Sequence, residues 1–352
     1  MFEPKFTISP KILESLSQIA EIKGMVHQST LLPMREAFLR RFATIKMAHT
    51  STGIEGNTLT ELQVKDVASG KPVLAENRQI IEVENYLKAL KQVDQVSQNQ
   101  IIFDVGDILS LHRTVIYNLV EKSKTGCFRP GPVYVVNVLS NRQEKVVYTP
   151  PKSSQVPTLI AELISWLKSS QPLHPIIRAG ILHYQFETIH PFIDGNGRVG
   201  RLLTLLHLYQ SGWDFRKVLV LEDFYNQNRK RYYQGLQTGS SYSKREGVDL
   251  TNWLEYFTEG FLEETKKVQD QISILNTIGE KGIVENILNP DEIKIIDFAL
   301  SLGKITSDDV VDMLSVSKRT AQGKLKRLEE IKVLKKEGAG PSTFYRLVQT
   351  QP

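Results

Sequence analysis

One stretch of twelve residues, HPFIDGNGRVGR from His190 to Arg201, gathers several groups that can do chemistry. An imidazole, a carboxylate, a Gly-Asn-Gly turn and two arginines lead into a leucine-rich run, which predicts a buried helix from about residue 198. Glycine and asparagine tolerate positive φ, so successive N–H groups at the start of that helix can converge on an anion. The stretch is therefore predicted to hold a polyphosphate beside a group that removes a proton.

The charged groups of this stretch each suit one part of such a reaction. His190 titrates near neutral pH, so it is the candidate general base. Arg198 and Arg201 lie three residues apart on the predicted helix and present two planar guanidinium groups on one face. Two such groups suit the binding of two or more phosphates. Asp194 offers the hard oxygen that a Mg²⁺ ion bridging phosphates requires. The turn completes the predicted anion site with its three residues, Gly195, Asn196 and Gly197.

A zinc site is a competing interpretation of the same region. His183, Glu187 and His190 have the spacing HxxxExxH. His183 and Glu187 share a helix face, but His190 falls after the predicted end of that helix, and no cysteine or third histidine is close in sequence. The residues therefore favour phosphate chemistry over zinc.

The stretch resembles the signature of the Fic (filamentation-induced-by-cAMP) family, His-x-Phe-x-Asp/Glu-Gly-Asn-Gly-Arg-x-x-Arg, and meets every specified position. Proteins of that family mostly transfer AMP from ATP to a protein hydroxyl and release pyrophosphate. The resemblance implies that His190 deprotonates a Ser, Thr or Tyr hydroxyl. It also implies that Asp194 holds Mg²⁺, with Mn²⁺ as an alternative, against the α- and β-phosphates. The remaining implied roles are an anion hole at Gly195, Asn196 and Gly197, inner-phosphate binding by Arg198 and γ-phosphate binding by Arg201.

The resemblance also separates two transfer reactions and adds nucleotide contacts. Family members that act as kinases carry Lys where this chain has Gly197 and bind the nucleotide reversed, so Gly197 favours AMP transfer over phosphate transfer. Tyr232, in the run RKRYY, is placed beside the adenine, whereas a position that is often Asn in relatives is Ser240 here. The further ATP contacts that the family implies are Gly200, Val136 and Asn137.

Two β-branched runs precede the stretch, at 132–138 and 144–148, with five residues between them. They predict a β-hairpin that must lean on helices, because an isolated hairpin is only marginally stable. An ordinary surface hairpin is one interpretation. The position in the chain also matches the flap of the Fic family, which holds an extended target segment by edge pairing. The resemblance therefore implies that an unidentified target protein docks on 132–148.

A second short motif, STGIEGN from Ser51 to Asn57, lies near the N-terminus. Ser51 and Glu55 share one face if they are helical, and Gly56 with Asn57 is a natural helix stop. Such a Ser–Glu pair is usually only a solvated face. The motif also resembles the Fic inhibitory motif, Ser/Thr-x-x-x-Glu-Gly/Asn, which implies an ion pair between Glu55 and Arg201 in the γ-phosphate site. ATP would then bind with its α-phosphate misaligned; in some relatives the same glutamate helps water to remove AMP.

Composition bounds the class of protein. The 352 residues are 41% hydrophobic and 24% charged, which is ordinary for a soluble globular protein of two or three domains. A single cysteine excludes internal disulfides. No apolar run reaches transmembrane length and the N-terminus does not resemble a signal peptide, so we expect a cytoplasmic protein. A formal net charge of +5 is compatible with nucleic acid without requiring it.

Apolar spacing predicts a mainly α-helical protein with four parts. These are an N-terminal helical region with the inhibitory motif at 1–100, a Fic-type helical core with a hairpin flap at 101–275, a linker at 276–290 and a winged helix-turn-helix at 291–352. In the last part, three short helices, the second capped by Ser307, are followed by strands at 333–336 and 344–347. The third helix is predicted to expose five cations: Lys318, Arg319, Lys324, Lys326 and Arg327. DNA, another protein and a second copy of the chain are alternative partners.

Two classes of function remain. The first is a protein adenylyltransferase, restrained by its own Glu55, that modifies proteins including itself. The second is a nucleotide-sensing transcriptional regulator whose C-terminal helices do the work. A pure sensor has no need of a base, so the complete set from His190 to Arg201 favours the enzyme.

Overall fold

Helices make up most of the computed structural model, which describes residues 2–29, 31, 33–99, 101–138, 144–280, 289–331 and 333–348. In chain order the α-helices up to residue 280 are α1 (Pro10–Gln28), α2 (Pro33–Ile54), α3 (Glu61–Ala68), α4 (Asn77–Ser97), α5 (Val105–Val115), α6 (Val156–Ser169), α7 (Pro175–Ile189), α8 (Asn196–Gln210), α9 (Leu221–Gln227), α10 (Arg229–Leu236), α11 (Tyr242–Arg245) and α12 (Thr251–Glu280). Over the part of the chain that is described, no helix has the length and apolar character needed to cross a membrane. The predicted mainly α-helical fold is confirmed.

The chain divides into two compact units. The first contains Met1–Gly24 and Thr44–Lys266, and the second contains Met25–Ala43 and Lys267–Pro352. Spacing along the chain did not predict that 25–43 would group with the C-terminal residues, because such grouping depends on contacts between distant segments.

Two buried helices, α7 and α8, form the centre of the first unit and are joined by the loop 190–195. His174 caps α7, its Nδ1 accepting the Ile176 N–H at 3.3 Å, and Pro175 supplies the first helical residue. Nearly every side chain of both helices is buried, so neither shows a polar face. Helix α8 also packs against α4 and α5. Both ends of the loop are therefore anchored in the core.

The predicted hairpin is confirmed between α5 and α6. Strands β1 (Val135–Val138) and β2 (Glu144–Tyr148) are antiparallel, and the connecting residues 139–143 lie outside the described part of the chain. The Tyr148 hydroxyl at the base of β2 donates to the Thr188 carbonyl oxygen at 2.5 Å. The next residue, Thr149, donates its N–H to the Ser240 carbonyl oxygen at 3.0 Å. The hairpin thus leans on helix α7 and on the segment after α10, as its marginal intrinsic stability requires.

The second unit ends in three helices and a hairpin: α13 (Pro290–Leu302), α14 (Ser307–Leu314), α15 (Lys318–Glu330), β3 (Leu334–Glu337) and β4 (Phe344–Leu347). Types and order of these elements agree with those predicted for the tail, whose winged-helix assignment stays a prediction. The predicted cap Ser307 is wrong: Thr306 is the N-cap and accepts the Asp309 N–H at 3.2 Å. The first five residues of the predicted linker, 276–280, are helical, and 281–288 lie outside the described residues.

Most cations predicted on α15 form ion pairs within the tail. The pairs are Lys318–Asp308 at 2.8 Å, Lys324–Asp291 at 3.1 Å, Lys326–Glu330 at 3.7 Å and Arg327–Glu292 at 3.1 Å. The side chain of Lys324 is only 19% exposed, which corrects its predicted exposure, because it reaches back to Asp291 on α13. The net positive field on this helix is therefore weaker than its sequence indicates.

Candidate active site

His190 follows the last residue of α7 in a left-handed backbone conformation, with φ 50° and ψ 61°. That conformation costs a non-glycine residue roughly 1–2 kcal/mol, so the surroundings must stabilise it. Buried Arg129 does so, because its Nε donates to the His190 carbonyl oxygen at 2.9 Å. The same guanidinium donates to the carbonyl oxygens of Gly131 at 3.0 Å and Pro151 at 2.6 Å. One arginine thus fixes the backbone of His190 relative to both ends of the hairpin segment.

The His190 ring is 22% exposed, and its Nδ1 faces Glu187. Its Nδ1 lies 3.4 Å from the backbone oxygen of Glu187 and 3.9 Å from that residue's carboxyl Oε2. A carbonyl oxygen can only accept a hydrogen bond, so this contact favours the tautomer with its hydrogen on Nδ1 and the lone pair on Nε2. Burial lowers the pKa of His190 to about 4, so the ring is neutral at pH 7. A neutral imidazole with an available Nε2 can accept a proton.

Gly195 begins α8 as its N-cap with φ 83°, a value that favours glycine. A Cβ at this position would lie 2.8 Å from Ile116 Cγ2, so glycine is needed for space as well. Helix α8 begins at Asn196, two residues before its predicted start. The N–H groups of Asn196, Gly197 and Arg198 belong to its first turn, where a helix supplies no acceptor of its own. These three N–H groups, which we call the cradle, are the groups predicted to hold an anion with the help of the helix dipole.

The Asn196 side chain braces this loop. Its Oδ1 accepts the Phe192 N–H at 2.8 Å, and its Nδ2 donates to the Phe192 carbonyl oxygen at 3.0 Å. The cradle therefore consists of backbone N–H groups, with the amide of Asn196 holding their conformation.

His112 of α5 supports the loop from the other side, and the sequence analysis missed it. Its ring stacks on Phe192 with centroids 3.6 Å apart and 2° between planes. Its Nδ1 accepts the Gly126 N–H at 3.1 Å, so its Nε2 donates to the Asp194 carbonyl oxygen at 3.2 Å. Burial lowers the pKa of His112 to about 4, which keeps this arrangement neutral. No short motif could have identified a residue 82 positions before Asp194.

Arg198, the first arginine of the signature, is buried between carboxylates. Its Nη2 donates to Asp194 Oδ1 at 2.8 Å, and its Nη1 lies 4.0 Å from Glu82 Oε1 on α4. Arg78, also on α4, brings its Nη2 within 3.5 Å of the other Asp194 oxygen. Asn57 of the inhibitory motif donates to Glu82 Oε2 at 3.0 Å. Arg78 and Glu82 were not predicted, because they come from a helix distant in sequence.

Arg201, the second arginine of the signature, forms the ion pair with Glu55 that the inhibitory motif predicts. Its Nη2 lies 2.8 Å from Glu55 Oε1 and 3.0 Å from the Ser51 carbonyl oxygen, and its Nε donates to Ser51 Oγ at 2.8 Å. The side chain of Arg201 is 2% exposed and that of Glu55 is 33% exposed. Gly56, at φ 101°, turns the chain after Glu55. A Cβ added at Gly197 would collide with Glu55 Oε1, so this carboxylate lies across the cradle.

The two neighbouring tyrosines of the predicted adenine contact differ in exposure. Tyr232 is 1% exposed, stacks on Tyr225 at 4.5 Å and shares a hydrogen bond with His183 Nε2 at 2.9 Å. Tyr233 is 46% exposed, and its hydroxyl donates to the Ile54 carbonyl oxygen at 3.4 Å. In this conformation Tyr232 presents no ring face to a ligand, and Tyr233 is the accessible aromatic.

The other predicted residues lie in three places. Both ring nitrogens of His183 face hydroxyl groups, because its Nδ1 lies 3.0 Å from Thr204 Oγ1 and its Nε2 faces Tyr232. Val136 and Asn137 lie on β1, where Val136 is exposed. Gly200 is buried within α8, and a Cβ there would lie 2.5 Å from Glu187 Oε1. Gly200 therefore leaves room for the Glu187 carboxyl, and its ATP contact stays a prediction.

Comparison with known proteins identifies the family of this loop and its helices. Residues 102–208, which include α5, the hairpin, α6, α7 and most of α8, match the model of the Fic/DOC family. The chain is 29% identical over 283 residues to the protein adenylyltransferase Fic of Drosophila yakuba, which covers 78% of this chain and 53% of that protein. The chain thus spans about half the length of the curated relatives it matches.

Solved structures of the family have the same fold. A Fic family protein from Desulfovibrio desulfuricans G20 is 28% identical and superposes with a TM-score of 0.63 over 100% of both chains. Fic-1 from C. elegans, 23% identical, shares the fold with a TM-score of 0.60 over 73% of this chain and 71% of its own. With the signature loop in place between α7 and α8, the chain contains a Fic/DOC family domain.

Proposed function

We propose that this protein transfers AMP from ATP to hydroxyl groups of proteins, and that Glu55 restrains the reaction. The observation that carries the proposal is the neutral His190 ring, with its Nε2 lone pair, on the loop that leads into α8, whose start supplies the cradle and two buried arginines. Relatives named protein adenylyltransferase Fic, at 29% identity over most of this chain, support it. A protein that only senses nucleotide would not need the complete signature, so its presence also favours an enzyme.

In the proposed reaction the acceptor hydroxyl gives its proton to His190 Nε2 while its oxygen attacks the α-phosphorus. The bond from that phosphorus to the bridging oxygen breaks, and pyrophosphate leaves in line. The first-turn N–H groups of α8 and the Arg198 guanidinium stabilise charge on the phosphates. Most of the rate enhancement would then come from positioning and electrostatics, as is general for transfer at phosphorus.

Asp194 suits a magnesium ion. Within the described residues no three His, Cys, Asp or Glu side chains come together as a metal-binding group. A nucleotide-bound Mg²⁺ usually takes only one or two protein carboxylates and completes its shell with phosphate oxygens and waters. Asp194, next to Arg198 in the cradle, fits that requirement, and Mn²⁺ accepts the same oxygen ligands. The ion would supply charge neutralisation and orientation of the phosphates.

We place the adenine near Tyr233 rather than Tyr232, because only Tyr233 has an exposed ring. Exposed Val136 and its neighbour Asn137 on β1 are the proposed contacts from the hairpin. The target segment would pair along 132–148, where Val136 and Val146 offer apolar side chains to solvent.

Glu55 is proposed to inhibit by occupying the γ-phosphate position. Its carboxylate pairs with Arg201 and lies where a side chain at Gly197 would collide with it. A triphosphate must displace this carboxylate or bind beside it with its α-phosphate shifted, because two anions cannot share one guanidinium without repulsion. The same partly exposed carboxylate could also orient a water for removal of AMP, which makes hydrolysis of the modified protein a second candidate activity.

Mass spectrometry of Glu55→Gly protein incubated with MgATP tests the proposal. An added AMP mass, lost in Glu55→Gly/His190→Ala protein, supports AMP transfer. An added phosphate mass would instead support the kinase-type reaction. No added mass, with ATP bound, contradicts both.

A further inference from the structure

The carboxyl group of Glu187 lies directly behind the His190 ring, and the proposed reaction does not use it. Its side chain is 11% exposed, and its Oε2 lies 3.9 Å from His190 Nδ1. Its Oε1 is buried with no hydrogen-bond partner in the described residues, against the backbone of Gly200. Burial of a carboxyl oxygen without a hydrogen-bond partner is unfavourable. The position of Glu187 beside the candidate base therefore calls for a functional explanation.

Several ionisable groups face this carboxyl from different elements. Arg201 on α8 and Arg245 on α11 favour its charged form, whereas Glu55 after α2 opposes it. The hydroxyls of Tyr232 and Tyr233 on α10 are also close enough to interact with it. Burial is the largest effect and raises the pKa of Glu187 to about 8. At neutral pH the pair is therefore a mostly protonated carboxyl beside a neutral imidazole.

We propose that Glu187 is a positioning residue for His190, which holds the Nδ1–H side of the ring and becomes its counter-ion when Nε2 takes a proton. The inference rests on the proposed function. A carboxyl group on the far nitrogen of a catalytic imidazole fixes the tautomer and stabilises the imidazolium in other enzymes. Here the backbone and carboxyl oxygens of one residue both face Nδ1.

The proton balance of the step is simple. The acceptor hydroxyl proton moves to His190 Nε2, and the carboxyl proton of Glu187 leaves to solvent past the partly exposed ring. Above the pKa of Glu187 that proton is already absent and the counter-ion is preformed. After pyrophosphate has left, Nε2 returns its proton to water, and below its pKa Glu187 takes up a proton from water, so both groups regain their starting state. The pair thus carries no net charge while the ring is an imidazolium, in a buried site where an unpaired charge is unfavourable.

Glu187→Gln separates this role from simple packing, since glutamine keeps the shape but cannot ionise. The variant and its parent both carry Glu55→Gly, so that transfer is measurable. At each pH the rate of the variant is divided by the rate of the parent, which cancels the effect of ATP titration. We expect a ratio within about threefold of one at pH 5.5 and about 0.01–0.1 at pH 9, a smaller loss than the roughly 10²- to 10⁴-fold of the general base itself, because Glu187 acts only through His190. Glu55 raises the pKa of Glu187, so its removal in this background should lower that pKa. The fall of the rate ratio with pH is therefore expected below pH 8.

Glu61→Gln is the matched control. Burial raises the pKa of Glu61 to about 7 and its Oε1 also lacks a hydrogen-bond partner in the described residues, but it faces Lys46 and Asp223 rather than the histidine. Its rate ratio should stay near one at every pH. A ratio for Glu187→Gln that does not vary with pH, whether near one or uniformly low, would overturn the inference.

Nuclear magnetic resonance of the His190 ring gives a readout that does not need transfer. The Nδ1–H tautomer fraction is expected to rise with pH in the parent and to stay constant in Glu187→Gln. The same constant fraction in both proteins would refute the role of Glu187. Absence of any AMP transfer in the parent, with the tautomer shift present, would instead refute the proposed function.

Discussion

Removing the Glu55 carboxylate is expected to raise the rate of AMP transfer by about 10- to 100-fold. The cleanest change is Glu55→Gln, which keeps the shape of the side chain and removes its charge. Arg201 then loses its ion-pair partner at 2.8 Å but keeps Ser51 at its Nε and Nη2. The guanidinium therefore stays in place and becomes available to a phosphate.

The magnitude follows from the exposures of the two partners. At 2.8 Å and an effective dielectric constant of about 20, the Coulomb energy of two unit charges is about 6 kcal/mol, which is an upper bound. Arg201 is 2% exposed, but Glu55 is 33% exposed, so water screens the pair and rehydrates Glu55 when it leaves. The net free energy of this ion pair should lie between that of an exposed pair and that of a buried pair, at about 1.5–3 kcal/mol. Such a free energy corresponds to a factor of about 10–100 in the rate of AMP transfer.

Initial rates of label incorporation from ATP labelled at the α-phosphate measure the effect, and label at the γ-phosphate reports phosphate transfer separately. The control is Glu84→Gln, which removes one exposed negative charge from α4 and should leave the rate unchanged. An unchanged rate in Glu55→Gln, in protein that binds ATP, would refute the reasoning. Little dependence of the increase on salt is also expected, because Arg201 is buried.

The remaining predictions test four separate parts of the structure. His190→Ala should lower the rate by at least about 10²- to 10⁴-fold while the Kd of ATP stays within about threefold; a retained rate excludes His190 as the base. Because burial lowers the pKa of His190 from 6.5 to about 4, its ring should gain a proton only below about pH 5, and titration near 6.5 by magnetic resonance would contradict this burial. Asp194→Asn should raise the Mg²⁺ concentration for half-maximal rate at least about tenfold, and an unchanged requirement removes Asp194 as the ligand. Gly195→Ala should lower the free energy of unfolding by about 1–3 kcal/mol in urea, because φ 83° and Ile116 both oppose a Cβ; a neutral change contradicts the geometry. For the tail, duplex DNA should bind no more tightly than about 1 µM at physiological salt, since most α15 cations are paired; tighter, steeply salt-dependent binding would favour DNA.

The local parts of this protein were predictable because short-range rules determine them. Two β-branched runs predicted the hairpin, and the leucine-rich run predicted the start of α8 to within two residues. The contact between Glu55 and Arg201 joins residues 146 positions apart, and composition could not have indicated it. It was predictable only because both motifs resemble those of one family.

The supporting contacts were not predictable from spacing. Arg129 reaches His190 across 61 positions and His112 reaches Asp194 across 82. Neither lies in a motif, and an isolated buried arginine or histidine is indistinguishable in sequence from a surface one. The difference in exposure between adjacent tyrosines was not predictable for a related reason: on a short helix, Tyr232 and Tyr233 point in different directions that depend on α10 packing.

The bonds of Arg129 have a consequence for which hydroxyls can react. One guanidinium ties the carbonyl of His190 to Gly131 and Pro151, so the hairpin base and the imidazole keep a constant separation. A peptide paired along β1 advances about 3.3 Å per residue, and a slip of one residue turns its side chains to the opposite face. If the target segment pairs with the hairpin as proposed, this fixed separation would select a substrate by the distance of its hydroxyl from the paired backbone, and would tolerate wide variation in the neighbouring side chains.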